Sequence, residues 1–523
     1  MAFEPTAEQR AIVQAARESA ASLMITAFAG CAKTTTLELI ANSITPRPAL
    51  ALAFNVKIKK ELEKRFPAWF KVMTMNGLGH GAWQRAIGKR CEVDEKKLGK
   101  CVTEVTREAG FNASPDQWAS IREITSAAML AGIVPRKYPH KGLMLDTDEN
   151  WLALAEDCGA PDPVLIGLAK ECLTHSVGLS FKGVISFDDQ IYMAALFGGQ
   201  FQRFDLVMVD ESQDLSPLNH IQVKRSALDR LIVVGDPKQA IYQFRGADSE
   251  SMAKLRALRT EWIDLPLATT FRCPKSIVER QQSHAFGFTA WSTNPEGTFE
   301  KFPLPISPDA PWRTPDEMPD GDDVDLNTWT FRQLDVRSHG GSIAVLCRNN
   351  APLVSMAFRL IRQNVGCTML GRDIGRGLQA IAKKLIPDDA MLAPECMRTV
   401  AAWRDREMAL ARANEDDRKC ERIDDQSACL IAVLETSGAK NAKELRSAID
   451  SLFARDNARV VLATGHRAKG LEWDLVVHLD PWRIPSKFAQ SPAAKEQESN
   501  LRYVIETRTK HTLIEADLED FAS

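Results

Sequence analysis

The sequence predicts an α/β chain with two parallel-sheet units and helical insertions. Three observations carry this. The runs "SLMITAFAG", "ALALAFN", "FDLVMVDES" and "RLIVVGD" have the length of buried strands and are spaced by helical patterns, as in a parallel sheet. The strand pattern restarts at "GSIAVLCRNN" (Gly341 to Asn350) and "ARVVLATGH" (Ala458 to His466), which predicts a second unit. Two long stretches without such runs read as helical insertions.

In chain order, Thr6 to Ser19 reads as an amphipathic helix opened by Thr6. A buried strand then runs into the loop Ala29, Gly30, Cys31, Ala32, and "KTTTLELIANSI" reads as the following helix. Ala49 to Asn55 is a second strand, followed by the basic helix "KIKKELEKRF". Residues 85–185 read as a helical insertion. Phe204 to Ser212 and Arg230 to Asp236 continue the sheet. "FPLPISPDAPWRTPDEMPDGDD" (Phe302 to Asp323) is rich in Pro and Asp and reads as a surface loop. The expected division is 1–84 with 186–262 as the first unit, 263–375 with 453–523 as the second, and helical insertions at 85–185 and 376–452.

Composition narrows the class. The chain has 523 residues, 45% of them hydrophobic and 26% charged, enough to bury roughly three or four ordinary domain cores. The net charge of -3 neither points to nor excludes a nucleic acid, because a basic groove can hide inside a balanced total. Eleven cysteines include no C-x-x-C pair, which argues against a zinc or iron–sulfur framework and fits a reducing compartment. No apolar run reaches the ~18 residues of a membrane span. "MAFEPTAEQRAIV" has charges where a signal peptide has its apolar core, so the chain is expected not to be secreted.

The first chemical motif is "AFAGCAKT". It sits between a strand and a helix, the context of a phosphate-binding loop, G-x-x-x-x-G-K-[ST]. Lys33 and Thr34 hold the lysine and hydroxyl positions, with Thr35 next. Both glycine positions carry alanine, Ala27 and Ala32, and only Gly30 remains between them. Backbone N–H groups do most of the cradling, and alanine keeps its N–H. If Ala32 must take a positive φ, its Cβ costs roughly 1–2 kcal/mol. Alone, the motif fits an ordinary strand-to-helix turn equally well.

"VMVDESQD" adds an acidic pair at a strand end, Asp210 and Glu211. One carboxylate there can hold Mg²⁺ while the other activates water; a solvated acidic turn is the bland alternative. "VVGDPKQAIYQFRGAD" places Gln239 just past a strand, within reach of a phosphate. Tyr242, Phe244 and Arg245 follow. Aromatics beside a cation can stack bases along a basic groove, or they can be core residues.

These motifs, in this order, resemble superfamily-1 helicases of the UvrD/Rep type, with likeness to the F-box helicase branch. The resemblance runs from end to end. "FEPTAEQRAIV" is similar to the adenine-contacting segment, with Gln9 as its glutamine. "FNVKIKKEL" and "TMNGLGHGAW" resemble the two single-strand contact motifs, which implies contacts from Phe54, Asn55, Lys57, Thr74 and Asn76. "LATTFRCPKSI" resembles the element that carries an arginine toward the γ-phosphate, here Arg272. "ATGHRAKGLEWDLVV" brings His466 and Lys469, and "SNLRYVIETRTKHTL" brings Arg508 as the arginine finger. "YVIETRTK" reads as a helix from which Arg508 projects, with Lys510 nearer solvent.

The resemblance implies two RecA-like motor domains, ATP and Mg²⁺ as cofactors, and Thr34 and Asp210 on the metal. It also implies single-stranded and tailed duplex DNA as substrates with 3′-to-5′ movement. Loading, replication or repair proteins would be partners, and the location would be the cytoplasm, nucleoid or nucleus, wherever the DNA is. The chain departs from the family at Ala32 and at Asn76, where a histidine is common. Residues 375–452 are also short for the large accessory subdomain of UvrD-type enzymes. Three readings stay open: a helicase, a translocase that strips proteins but unwinds poorly, or a nucleic-acid-binding module with a degenerate ATP site.

Overall fold

Every apolar run expected to be a strand is one. In the first unit these are Ser22–Ala27 (β1), Ala49–Ala53 (β2), Phe204–Val209 (β4) and Ala227–Gly235 (β5). Two further strands complete the sheet, Phe70–Thr74 (β3) and Trp262–Leu267 (β6). The computed structural model describes residues 4–241, 250–302, 330–413, 417–453 and 458–521. Tyr242, Phe244 and Arg245, and the Pro- and Asp-rich stretch beyond Phe302, lie outside the described residues.

The strand order is β3-β2-β4-β5-β1-β6, and every pairing is parallel. Helices cover both faces of such a sheet, so β2 is buried at all of its positions. Residues 263–267 pair with β1 and so belong to this first sheet, not to the second unit as the sequence suggested. Parallel pairing sends all the strand ends to one edge, where loops can gather.

The 85–185 stretch is helical, with helices Lys97–Glu108, Pro115–Ala131, Asp148–Asp157 and Pro163–Phe181. Trp83, Trp151 and Tyr192 are buried in its core. A two-residue parallel bridge, Glu92–Val93 with Val184–Ile185, ties the two ends of the insertion together. Inside it, Lys97 and Asp189 form a fully buried ion pair at 2.6 Å, and Ser180 accepts a second bond from the same ammonium. A buried charge needs such partners, since its desolvation is costly.

The second unit has a sheet of Thr298–Lys301 (β7), Ile343–Cys347 (β8), Cys367–Met369 (β9), Val460–Thr464 (β10), Trp473–Leu479 (β11) and Thr509–Ala516 (β12). Its order is β7-β12-β11-β8-β10-β9, again all parallel. Helices Arg372–Leu385, Ala393–Ala413, Asp417–Thr436 and Ala442–Phe453 follow β9. Leu378, Cys396, Leu430 and Leu445 from them share one core with Val345 and Leu462 of the sheet.

The chain divides into Met1–Thr269 with Ala411–Lys419, and Thr270–Leu410 with Cys420–Ser523. None of the eleven cysteines is joined in a disulfide. Among the described residues no helix is long and apolar enough to cross a membrane.

Candidate nucleotide site and nucleic-acid edge

β1, β5 and β4 are neighbours, so the loops that follow them meet at one edge of the first sheet. After β1 the chain passes Ala29, Gly30, Cys31 and Ala32 and enters the helix Lys33–Ser43. Gly30 has φ 71° and Ala32 has φ 56°, both left-handed. Ala32 is the N-cap, and no side chain caps this helix. A helix start without a side-chain cap, behind a left-handed loop, is an anion cradle. Ala32 therefore carries the strain that glycine would avoid, roughly 1–2 kcal/mol.

Lys33 Nζ lies 3.2 Å from Glu211 Oε1. Burial works against its charge, but the carboxylates of Glu211, Asp236 and Asp210 hold its pKa above that of an ordinary lysine. Burial, and then the adjacent Glu211 carboxylate, push Asp210 up to about 7, while Lys33 and the Thr34 hydroxyl pull it back. Glu211 has φ 50°, a strained conformation of the kind concentrated at functional sites. Gln213 donates to Glu211 at 2.6 Å and accepts the Asp236 N–H at 3.0 Å. Gln239 donates to Asp236 at 2.6 Å. Gly235 permits this crowding, because a Cβ there would lie 2.5 Å from Ser212 Oγ.

Lys33, Thr34, Asp210, Glu211 and Gln239 thus form one cluster, joined by Asp236 and Gln213, which sequence reasoning missed. The signal for Asp236 was its place at the end of β5, directly before the segment carrying Gln239. The set fits a nucleotide triphosphate with Mg²⁺: an ammonium, a hydroxyl beside a carboxylate, a second carboxylate, and a helix N-terminus. The other predicted contacts are engaged inside the protein. Cys31 and Ala29 are buried, and the Thr35 hydroxyl accepts from Arg65 at 3.2 Å. Gln9 is fully buried: its carbonyl accepts the Thr6 N–H at 3.0 Å and its amide donates to Thr36 at 3.0 Å. An adenine contact would replace one of these bonds.

β2 and β3 occupy the far end of the same sheet, roughly 15 Å and roughly 20 Å from β1 at the usual strand spacing. Phe54 follows β2 and is 45% exposed. Asn55 caps the helix Val56–Arg65 by accepting the Ile58 N–H at 2.9 Å, and Lys57 is exposed. Thr74 caps the helix Met75–Ile87 by accepting from Gly77 at 3.1 Å. Asn76 does not present its amide to the edge; it donates to the Phe187 carbonyl at 2.9 Å. Phe187 is 52% exposed and opens the helix Phe187–Leu196, which Ser186 and Asp189 cap. Asp189 belongs to the buried pair with Lys97, so the turn bearing Phe187 is firmly held. Phe187 is a second exposed aromatic that the sequence reading did not single out.

In the second unit Arg272 donates to Glu472 at 2.6 Å. Burial alone would raise the Glu472 carboxyl, but Arg272 and Lys510 hold it below the usual range. The helix Pro492–Glu506 ends before Arg508, which lies in the short link to β12, not on the helix as expected. The strand pairing of β12 with β11 takes over from Thr509 onward. Arg508 is buried and donates to the carbonyls of Val504 (2.9 Å) and Leu471 (3.3 Å) and to the Thr507 hydroxyl (3.3 Å). Lys510 is on the strand and pairs with Glu472 at 3.0 Å. Arg272 and Arg508 thus converge on Leu471 and Glu472. His466 lies in the helix Gly465–Ala468 after β10, with Lys469 just beyond it. Gly465 lets that helix pack closely, since a Cβ would lie 2.7 Å from Ile505.

Known helicases resemble this chain at the level of sequence. The UvrD/REP helicase N-terminal domain matches residues 193–258, and the UvrD-like helicase C-terminal domain matches residues 405–516. F-box DNA helicase protein 1 of Schizosaccharomyces pombe is 25% identical over 97% of this chain, which spans 57% of that protein. F-box DNA helicase 1 of Gallus gallus is 26% identical over 46% of this chain and 24% of its own length. The RecBCD enzyme subunit RecB of Mycolicibacterium smegmatis is 42% identical over 24% of this chain and 13% of its own length. The chain thus carries, in order, regions that match the UvrD/REP helicase N-terminal domain and the UvrD-like helicase C-terminal domain, and along nearly its whole length it is similar to an F-box DNA helicase.

Proposed function

We propose that the chain is an ATP-driven motor that moves 3′ to 5′ along single-stranded DNA and opens duplex ahead of it. The observation that carries this is the cluster of Lys33, Thr34, Asp210, Glu211 and Gln239 on the same sheet edge as exposed Phe54 and Phe187.

Mg²⁺-ATP would supply the electrophilic phosphorus and the leaving group. Lys33 exchanges its bond to Glu211 for the β- and γ-phosphate oxygens. That exchange frees Glu211 to accept the proton of the attacking water. Thr34 and Asp210 would hold the metal, and Gln239, buttressed by Asp236, would report on the γ-phosphate. The family resemblance gives Arg272 and Arg508 the role of cations that would stabilise a transferring phosphoryl group. Phe54 and Phe187 stack bases, Asn55 and Thr74 hold the adjoining helix starts, and Lys57 contacts phosphate. Tyr242, Phe244 and Arg245, and His466 with Lys469, extend the grip in this reading.

The strained Ala32 motivates a second reading, a binding module with a degenerate ATP site. The retained Lys33, Glu211 and Gln239 speak against it. Strand displacement on 3′- and 5′-tailed duplexes, beside an ATPase assay, separates the readings. Unwinding of the 3′-tailed duplex alone supports the motor as stated. ATP hydrolysis without unwinding favours a translocase that strips proteins.

A further inference from the structure

The helix Pro492–Glu506 presents Lys495, Ser499 and Arg502 in one stripe at i, i+4 and i+7 spacing. This stripe lines a cavity of about 540 Å³, together with Arg280, Ile484 and Glu506. The only acid among its lining residues, Glu506, is 1% exposed and is already paired with Arg280 at 2.8 Å. Arg280 also pairs with Glu515.

The cations are incompletely used. Lys495 Nζ has no partner among the described residues. Arg502 gives Nη2 to the carbonyls of Pro481 (3.0 Å) and Ile484 (3.1 Å), leaving Nε and Nη1 without an acceptor there. Those two bonds fasten the turn Pro481–Arg483 against the helix. The turn carries Trp482, 62% exposed, with the Arg483 guanidinium 4.4 Å from its ring centre.

We propose that this groove is an additional contact for single-stranded nucleic acid, with Lys495 and Arg502 on phosphodiester oxygens and Trp482 as a platform for one base. The proposal rests on the reading of the chain as a DNA motor. A free phosphate would satisfy the cations but has no use for Trp482. A phosphodiester strand brings both a charge and a base face, the pairing that single-strand grooves use.

The test measures binding of a fluorescent oligonucleotide to the full chain across a salt series. Lys495→Ala should weaken binding severalfold and make the salt slope shallower by about 0.7, the share of a single neutralised phosphate. Lys495→Arg should restore both. Trp482→Ala should weaken binding by about fivefold or more, with little change in slope. DNA-independent ATP hydrolysis should stay unchanged in all three. Phe54→Ala is the control for the motor reading. If Phe54→Ala loses affinity while Lys495→Ala and Trp482→Ala bind with wild-type affinity and slope, the groove proposal is wrong and the motor stands. If the wild-type chain binds no oligonucleotide, both fail. If Lys495→Ala loses inorganic pyrophosphate, or a polyglutamate peptide, but keeps the oligonucleotide, the groove serves a small phosphate or an acidic protein segment and the strand proposal is overturned.

Discussion

Lys33 and Glu211, 178 residues apart in sequence, form an ion pair with 3.2 Å between Nζ and Oε1. The pair holds the lysine proposed to bind phosphate on the residue proposed as the base. It predicts different outcomes for the two partners. Lys33→Ala should abolish both hydrolysis and tight nucleotide binding. Glu211→Gln should keep nucleotide binding within severalfold and lower single-turnover hydrolysis by about 10²-fold or more, as for a lost general base. Equal loss of binding in both variants would refute the division of roles.

Ala32 holds φ 56° within the folded chain, so its strain should appear first as stability. Ala32→Gly removes about 1–2 kcal/mol of left-handed strain but returns about 0.4–1 kcal/mol through the freer unfolded chain. A net gain of between about 0 and about 1.6 kcal/mol should appear in urea unfolding, with nucleotide affinity equal or tighter. A loss of stability would mean that the loop does not need this conformation.

Asn76 and Phe187 should behave as a pair. Phe187→Ala should lower single-strand affinity by about 1–3 kcal/mol, the worth of a stacked base. Asn76→Ala should lose part of the same energy by releasing the turn, and adding it to Phe187→Ala should cost little more. Fully additive losses would show that Asn76 contacts the strand independently.

His478 gives a pH prediction. It is fully buried on β11, with both ring nitrogens unpartnered, and one of them lies within 4.8 Å of carboxylate oxygens of Glu506 and Glu515. Burial, then Arg502 and Arg280, push it down to about 3. Unfolded, it titrates near its reference value of about 6.5. Between these values only the unfolded chain binds the proton, so this group's stability is present above pH about 6.5 and is lost as pH falls toward 3. His478→Leu should remove up to about 1.4 kcal/mol of pH dependence per unit in that window. Urea midpoints at pH 7 and pH 5 measure it, and an unchanged difference would contradict the assignment.

Much of this was legible in the sequence because the signals were local. A strand end followed by "AFAGCAKT" or "DES" fixes where Lys33 and Asp210 sit, whatever surrounds them. Long-range partners were not legible. Nothing near Asn76 says that its amide reaches Phe187, 111 residues on. Nothing near Lys97 announces Asp189. Arg508 was misplaced because "YVIETRTK" has helical composition throughout, and only pairing with β11 turns Thr509 onward into strand. β3 and β6 were missed because they lie at the sheet's ends, where half-exposed residues blur the apolar run.

The decisive measurement for a DNA-driven motor is ATP hydrolysis by the full chain, with and without single-stranded DNA at saturating Mg²⁺-ATP. A DNA-driven motor should turn over slowly alone, be markedly accelerated by the strand, and lose both activities in Lys33→Ala. Hydrolysis indifferent to DNA, or undiminished in Lys33→Ala, would contradict it.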